Sequence, residues 1–329
     1  MLDKYFPLYV FAFLVSLFVT ALSEKKLIPK LKMKAKQPIY TDGPSWHTGK
    51  SGTPTMGGLA FILGTVLSVV LSYLIIYDSS IYKEALSAIL TLLFALSNAL
   101  IGVIDDFKKL KHRKNESGLT PKQKILLQII ICLLYLFARY KLFGDSTSLS
   151  FSFGEVNIGL LYYPLTLFIL LGMINSANLT DGIDGLASSV TFAVAISFFY
   201  IASALNSEVA LICSVIIGAT VGFLFFNLHP AKIFMGDTGS LFFGALVSAC
   251  AINLGNPLII IFVGGVYAIE GISVVLQVFS YKLFKKRIFK MSPIHHHLEK
   301  CGWSENKICI VAIILTFLLS IPAYIFYLP

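Results

Sequence analysis

Long apolar runs dominate the chain, and short polar stretches break them at regular intervals. A helix that crosses a membrane needs about 20 mostly apolar residues. Ten stretches meet that need: 5–23, 56–77, 85–104, 123–140, 159–177, 186–205, 208–226, 239–254, 257–280 and 308–328. No linker, low-complexity tract or clear internal repeat divides them. The pattern therefore predicts an all-α polytopic membrane protein, folded as one integral-membrane domain over 1–329. One stretch departs from the rhythm. Residues 148–160 alternate polar and apolar side chains around Gly154, the mark of a short β-hairpin.

Composition agrees with this layout. Apolar residues make up 57% of the chain and charged residues 13%, against about 25% charged in a soluble domain. Such a chain cannot cover a water-facing surface, and it is too apolar to be disordered. Its five cysteines are scattered and show neither a disulfide framework nor a zinc spacing.

Charge sets the expected orientation. Of 26 Lys and Arg, 22 lie in 24–55, 105–124, 228–238 and 281–307, which alternate spans place on one side. Lys4, Lys83, Arg139 and Lys141 fall on the other. The positive-inside rule makes the first side cytoplasmic, with both termini and the hairpin outside. The first segment lacks a small-x-small cleavage site and is followed by Lys25, Lys26, Lys30, Lys32, Lys34 and Lys36. It reads as a retained span rather than a signal peptide. The net charge of +9 thus reflects topology. No basic patch interleaved with aromatics points to a nucleic-acid partner.

Polar side chains near spans are costly and mark function. Here they gather in five loops on the basic side. The first holds Lys50-Ser-Gly-Thr-Pro-Thr55-Met-Gly-Gly58. Its helix-opening N–H groups suit an anion, and its Gly-Gly pair equally suits close helix packing. The second opens with Asp105-Asp106, followed by Lys108 and Lys109. Adjacent helical positions diverge by about 100°, so one acid can bind a metal while the other handles a proton. Neighbouring lysines would hold phosphates.

The third loop, Asn178-Leu-Thr-Asp181-Gly-Ile-Asp184-Gly185, spaces three polar residues to share one side of a helical turn. The fourth carries Asn227, His229, Phe234 and Asp237, with glycines on both sides of the acid. Asp237 is a candidate oxygen ligand for Mg²⁺, which takes few carboxylates plus substrate phosphates. Phe234 offers a face to a nucleobase. The fifth contains His295-His296-His297-Leu-Glu299, after a stretch 282–290 that reads as an interfacial amphipathic helix. Adjacent histidines point apart and lack spaced zinc partners, so phosphate or sugar contacts and a proton role are the better reading. Gln277 sits near the inner end of its span. Glu270 lies deeper, as a packing contact or part of a polar pathway.

Acids for a divalent cation, lysines and Gly-rich turns for a polyphosphate, and a lipid-lined surround point to phosphoryl transfer between a soluble nucleotide compound and a lipid. On Asp105-Asp106, the 178–185 loop, Phe234-Met-Gly-Asp237-Thr-Gly-Ser240 and the His-rich loop, the chain resembles the polyprenyl-phosphate N-acetylhexosamine-1-phosphate transferases. Lys50 to Gly58, Ser292 to Glu299 and Gly302-Trp-Ser-Glu305 are similar to its phospho-N-acetylmuramoyl-pentapeptide transferase branch.

The resemblance implies ten spans, Mg²⁺, a homodimer, and a cytoplasm-facing site in the bacterial inner membrane. It implies transfer of phospho-MurNAc-pentapeptide from UDP-MurNAc-pentapeptide to undecaprenyl phosphate, giving lipid I and UMP. Under it, Asp237 ligates the metal with Asp105 and Asp106, one of which assists the lipid phosphate. Lys109 and Lys124 pair with phosphates, and Asn178, Asp181 and Asp184 line the nucleotide and metal region. Asn227 and Phe234 hold uridine, under Lys50 and Thr55. Gln277, His296 and His297 meet the sugar-phosphate side. Competing expectations are a sister enzyme using UDP-GlcNAc, which the His-rich loop disfavours, and an ion-coupled transporter, which calls for midplane acids and inverted repeats.

Overall fold

The computed structural model describes residues 2–34, 50, 52–76, 82–112, 118–144, 147–205 and 207–328. In chain order these form α1 (Leu2–Lys34), α2 (Gly58–Ile75), α3 (Tyr82–His112), α4 (Pro121–Phe143), β1 (Ser148–Phe151), β2 (Gly154–Asn157), α5 (Tyr162–Thr180), α6 (Leu186–Ala204), α7 (Val209–Asn227), α8 (Gly236–Asn253), α9 (Ile259–Val263), α10 (Gly265–Phe284), α11 (Ile294–Glu299) and α12 (Glu305–Tyr327).

Among the described residues, nine helices are long and apolar enough to cross a membrane: α1 to α7, α10 and α12. The chain is thus a multi-pass membrane protein. The expected eighth span corresponds to α8, which is less apolar over its length than the spans require and is not among the nine. The reason is its position: every residue from Thr238 to Ile252 is buried. A helix sheathed by its neighbours has no lipid-facing surface to keep apolar. The expected ninth span is two helices, with α9 ending at Gly264 and α10 running on to Phe284.

Two loop expectations are corrected. α3 does not stop at residue 104 but continues to His112, so Asp105 and Asp106 stand on its last turns rather than in a loop. The stretch 282–290 is not an amphipathic helix. α10 ends in a left-handed Lys285, and the chain then folds back irregularly. Gln277 Oε1 accepts from the Ile288 and Phe289 N–H groups (both 3.0 Å), Gln277 Nε2 donates to the Phe289 carbonyl (3.0 Å), and Ser280 Oγ donates to the Lys286 carbonyl (2.9 Å). Backbone satisfied this way has no need of helix.

Local chemistry sets the helix ends. Thr120 and Gln123 form a capping box at the start of α4, with Pro121 following, and a left-handed Gly144 closes its far end. Apolar burial drives little association where lipid is the alternative, so close packing at small residues takes over. A side chain at Gly218 of α7 would collide with the Phe13 carbonyl of α1, and one at Gly222 would stand 2.7 Å from the Leu17 carbonyl oxygen. Gly58 of α2 meets Gly239 of α8 backbone to backbone. Beside that contact Phe61 stacks on Phe243, with ring centroids 4.2 Å apart.

The expected hairpin is present. β1 and β2 pair antiparallel with Ser148 opposite Asn157 and Phe151 opposite Gly154. It caps two helix ends. Asn256 Nδ2 donates to the Ser150 carbonyl (2.9 Å), the Ser152 N–H donates to the Phe326 carbonyl (2.7 Å), and Phe151 stacks on Tyr327.

Candidate active site

The basic side of the bundle holds two charged clusters. The first forms where α3, α4, α5 and α8 end. Asp105 is fully buried, yet its carboxylate is well supplied. Oδ1 accepts from the Leu119 N–H (2.6 Å), while Oδ2 lies 2.7 Å from Lys109 Nζ and 2.8 Å from Lys124 Nζ. Asp237 Oδ2 faces the same two ammonium groups, at 3.2 Å from Lys109 and 2.5 Å from Lys124. Its Oδ1 accepts from Asn178 Nδ2 (3.1 Å), and that same nitrogen donates to Ser240 Oγ (2.7 Å).

Asp106 does something different, as the divergence of adjacent helical positions requires. Oδ1 accepts from the Asp237 N–H (3.2 Å). Oδ2 accepts from the Thr238 N–H (3.0 Å) and hydroxyl (2.7 Å). α8 has no cap from its own preceding residue, so a carboxylate from another helix satisfies its first N–H groups. Three glycines admit this crowding. A Cβ at Gly102 would collide with the Asp237 backbone, and one at Gly118 with the Asp105 carboxylate. One at Gly236, whose φ is +70°, would lie 2.6 Å from Asp106 Oδ2 and 2.8 Å from Thr55 Oγ1.

One oxygen from each of Asp105, Asp106 and Asp237 lies within 4.8 Å of the others. Hard carboxylate oxygens fit a hard divalent cation. Lys109 and Lys124 occupy Oδ2 of both Asp105 and Asp237, so a metal would compete with the two lysines for these oxygens and would free them for phosphates.

The second cluster lies across the Asn178–Gly185 loop. Lys50 Nζ bridges Asp184 Oδ1 (2.7 Å) and Glu305 Oε2 (2.6 Å). Asp184 Oδ2 meets His229 Nδ1 and the Ala231 N–H, each at 2.9 Å, and the Asp184 N–H donates to Glu305 Oε2 (2.7 Å). Asp184, His229 and Glu305 are the other described group with carboxylate and imidazole atoms close enough for a metal. The loop's polar residues therefore do not share one side. α5 holds Asn178, the helix ends at Asp181, and a left-handed Gly185 starts α6. That sharp turn sends Asn178 to the first cluster and Asp184 to the second. Asp181 lies between them. Burial, with Asp237, Asp106 and Asp184 nearby, pushes its carboxyl well above the usual carboxylate range, and Lys50 opposes this.

The remaining candidates are placed as follows. Thr55 is buried beside Gly236. The N–H groups that open α2 are not available to an anion: Gly57 donates to the Phe234 carbonyl (2.9 Å) and Gly58 to the Met235 carbonyl (3.1 Å). Phe234 is half-buried in that loop pairing. Asn227 is buried, accepting from Ser188 Oγ (2.8 Å) and donating to the Ile233 carbonyl (2.9 Å), so its amide holds the 228–235 loop in shape. Gln277 likewise straps down 288–289. His296 Nδ1 sits 2.6 Å from Glu299 Oε2, and His297 Nδ1 accepts from the Lys290 N–H (3.1 Å).

Sequence reasoning missed Glu305, His229, Thr238 and Gly102. Glu305 and His229 stood in motifs already singled out. The roles of Thr238 and Gly102 come only from helices distant in sequence.

Carboxylates and lysines gathered where membrane helices end make this an integral-membrane protein with a buried charged site, and the comparisons show its class to be a transferase. The family model "Glycosyl transferase family 4" matches residues 88–255, and signature 1 of the phospho-N-acetylmuramoyl-pentapeptide-transferases matches residues 50–62. A phospho-N-acetylmuramoyl-pentapeptide-transferase of Clostridium acetobutylicum is 42% identical over 320 residues, covering 96% of this chain and 98% of its own. Proteins of the same name from Carboxydothermus hydrogenoformans and Clostridioides difficile are 42% and 38% identical, covering 94% and 93% of this chain and 96% and 94% of their own. The chain belongs to the phospho-N-acetylmuramoyl-pentapeptide-transferase family. It is a transferase of peptidoglycan precursor synthesis.

Proposed function

We propose that this enzyme transfers phospho-MurNAc-pentapeptide from UDP-MurNAc-pentapeptide to undecaprenyl phosphate, giving lipid I and UMP, with Mg²⁺. The reaction takes place at the cytoplasmic face of the bacterial inner membrane. The observation that carries this reading is the first cluster. Three carboxylates converge to within 4.8 Å, and two of them, Asp105 and Asp237, share two lysines, in a chain whose family transfers this group. The single domain has ten spans, with α8 as the tenth, both termini outside, and a homodimer as its assembly.

Bound Mg²⁺ would supply charge neutralisation on the phosphates, held by oxygens of Asp237, Asp105 and Asp106. The rest falls to the side chains. Lys109 and Lys124 move from carboxylates to substrate phosphates. Asp105 or Asp106 assists deprotonation and positioning of the lipid phosphate, and Asp106 also pins the start of α8. A lipid phosphate oxygen attacks the sugar-linked phosphorus, the bond to the bridging oxygen breaks, and UMP leaves. One phosphoanhydride replaces another, so the step is near thermoneutral. Direct attack is favoured over a covalent aspartyl intermediate because metal and lysine contacts already account for the acids.

Asn178, Asp181, Asp184, Lys50, Thr55 and Phe234 serve the nucleotide side, with Phe234 stacking on uracil. Asn227 acts there by shaping the Phe234 loop. His296 and His297 meet the sugar-phosphate side, where Gln277 orders the adjoining backbone.

The test is UMP release by the purified chain with undecaprenyl phosphate, offering UDP-MurNAc-pentapeptide or UDP-GlcNAc, with Mg²⁺ or with EDTA. Lipid- and Mg²⁺-dependent release from the muramoyl donor alone, abolished in Asp237→Ala, is the expected result. Release from UDP-GlcNAc alone would move the enzyme to the sister activity.

A further inference from the structure

Glu270 on α10 is 2% exposed and has no Lys or Arg partner among the described residues. Its Oε2 instead lies 3.0 Å from His295 Nδ1 and accepts from the His295 N–H at 3.4 Å. A carboxylate only accepts, so Nδ1 carries the ring proton, and in a neutral imidazole Nε2 is left as a bare acceptor. That nitrogen is buried and has no hydrogen-bond partner among the described residues. A buried polar atom without a partner is costly and calls for an explanation.

Its surroundings supply one. The ring lies directly against Gly182, where a Cβ would collide with Nε2 and stand 2.7 Å from Cε1. Gly182 sits between Asp181 and Asp184, in the turn that divides the two charged clusters. The ring cannot swing aside, because it is fully buried and tethered to Glu270. α10 is itself pressed onto α5 beneath the same turn, with Gly271 against Ser176.

We infer that Glu270 and His295 form a positioning pair that sets the Asp181–Asp184 turn, and that the bare Nε2 accepts a hydrogen bond from this turn when the nucleotide donor is bound. The inference rests on the proposed donor reaction and deepens it. Glu270 fixes the tautomer and the height of the ring, and His295 acts on the nucleotide through the turn, without touching it. The buried acid is thereby accounted for without an ion pathway.

Steady-state kinetics on the full-length chain test this, varying UDP-MurNAc-pentapeptide and undecaprenyl phosphate in turn, with melting temperatures measured alongside. His295→Phe keeps the ring's bulk and removes both nitrogens. It should raise the donor KM tenfold or more while leaving the lipid KM within twofold. His295→Gln, which retains an acceptor, should recover part of the loss. Glu270→Gln, which loosens the tautomer without removing volume, should raise the donor KM several-fold and provides a second arm if His295→Phe fails to fold. Donor KM values within twofold of wild type in the folded variants would overturn the inference alone. So would a parallel rise of both KM values together with a fall in melting temperature. A wild-type chain that releases no UMP would overturn the functional reading and this inference with it.

Discussion

Lys124 Nζ stands between two carboxylates of different helices, 2.5 Å from Asp237 Oδ2 on α8 and 2.8 Å from Asp105 Oδ2 on α3. One ammonium group therefore holds the first turn of α8 to the last turns of α3. Removing it leaves Lys109 as the one cation that both acids share among the described residues. Lys124→Met should lower kcat by about 100-fold, the scale on which electrostatic transition-state groups act. It should also lower the Mg²⁺ concentration for half-maximal activity, because a competitor for the same oxygens is gone. A metal titration of UMP release measures both, and an unchanged metal requirement would argue against shared oxygens.

Gly102 faces the Asp237 backbone so closely that a methyl group has no room. Gly102→Ala must push α8 away from α3 and loosen the Asp106 cap. Overpacking of this kind costs about 1–3 kcal/mol. The variant should melt several degrees lower and lose most of its activity. Gly172→Ala, where none of the described residues crowds the added Cβ, serves as the matched control.

Glu305 and Lys50 close the second cluster around Asp184. Glu305→Gln keeps the shape and removes a charge, so Lys50 should turn fully to Asp184. Glu305→Ala instead strips the Asp184 N–H of its acceptor, a loss of about 1–3 kcal/mol for a buried unsatisfied group. The expected order of melting temperatures is wild type, Gln, then Ala. Equal values for Gln and Ala would mean that the backbone bond contributes nothing.

Asp181 gives the protein a pH dependence with a definite sign. Its folded carboxyl holds its proton well above the ordinary carboxylate range, first through burial and then through Asp237, Asp106 and Asp184. In the unfolded chain the same group ionises in the ordinary range. Between those two points the folded state binds more protons, so its stability falls as pH rises. Asp181→Asn should flatten that fall in thermal unfolding measured stepwise upward from mildly acidic pH. A slope identical to wild type would remove Asp181 as its source.

Much of this molecule is legible along the chain. Apolar runs of membrane length and the alternation around Gly154 depend on local composition, and the helices and hairpin follow them. The acids and lysines of the first cluster are visible as polar residues set where apolar helices end. Tertiary structure alone decides how they are shared out. Asp105 and Asp106 are neighbours, yet one receives two lysines and the other caps a helix 131 positions away. Asn178 and Asp184 share a motif but serve opposite clusters, because the chain turns sharply between them. Lower hydropathy sets α8 apart from the nine, but which helices sheathe it is not a property of its own residues. Periodicity and composition are local, whereas hydrogen-bond partners are chosen by helices that meet only after the bundle has formed.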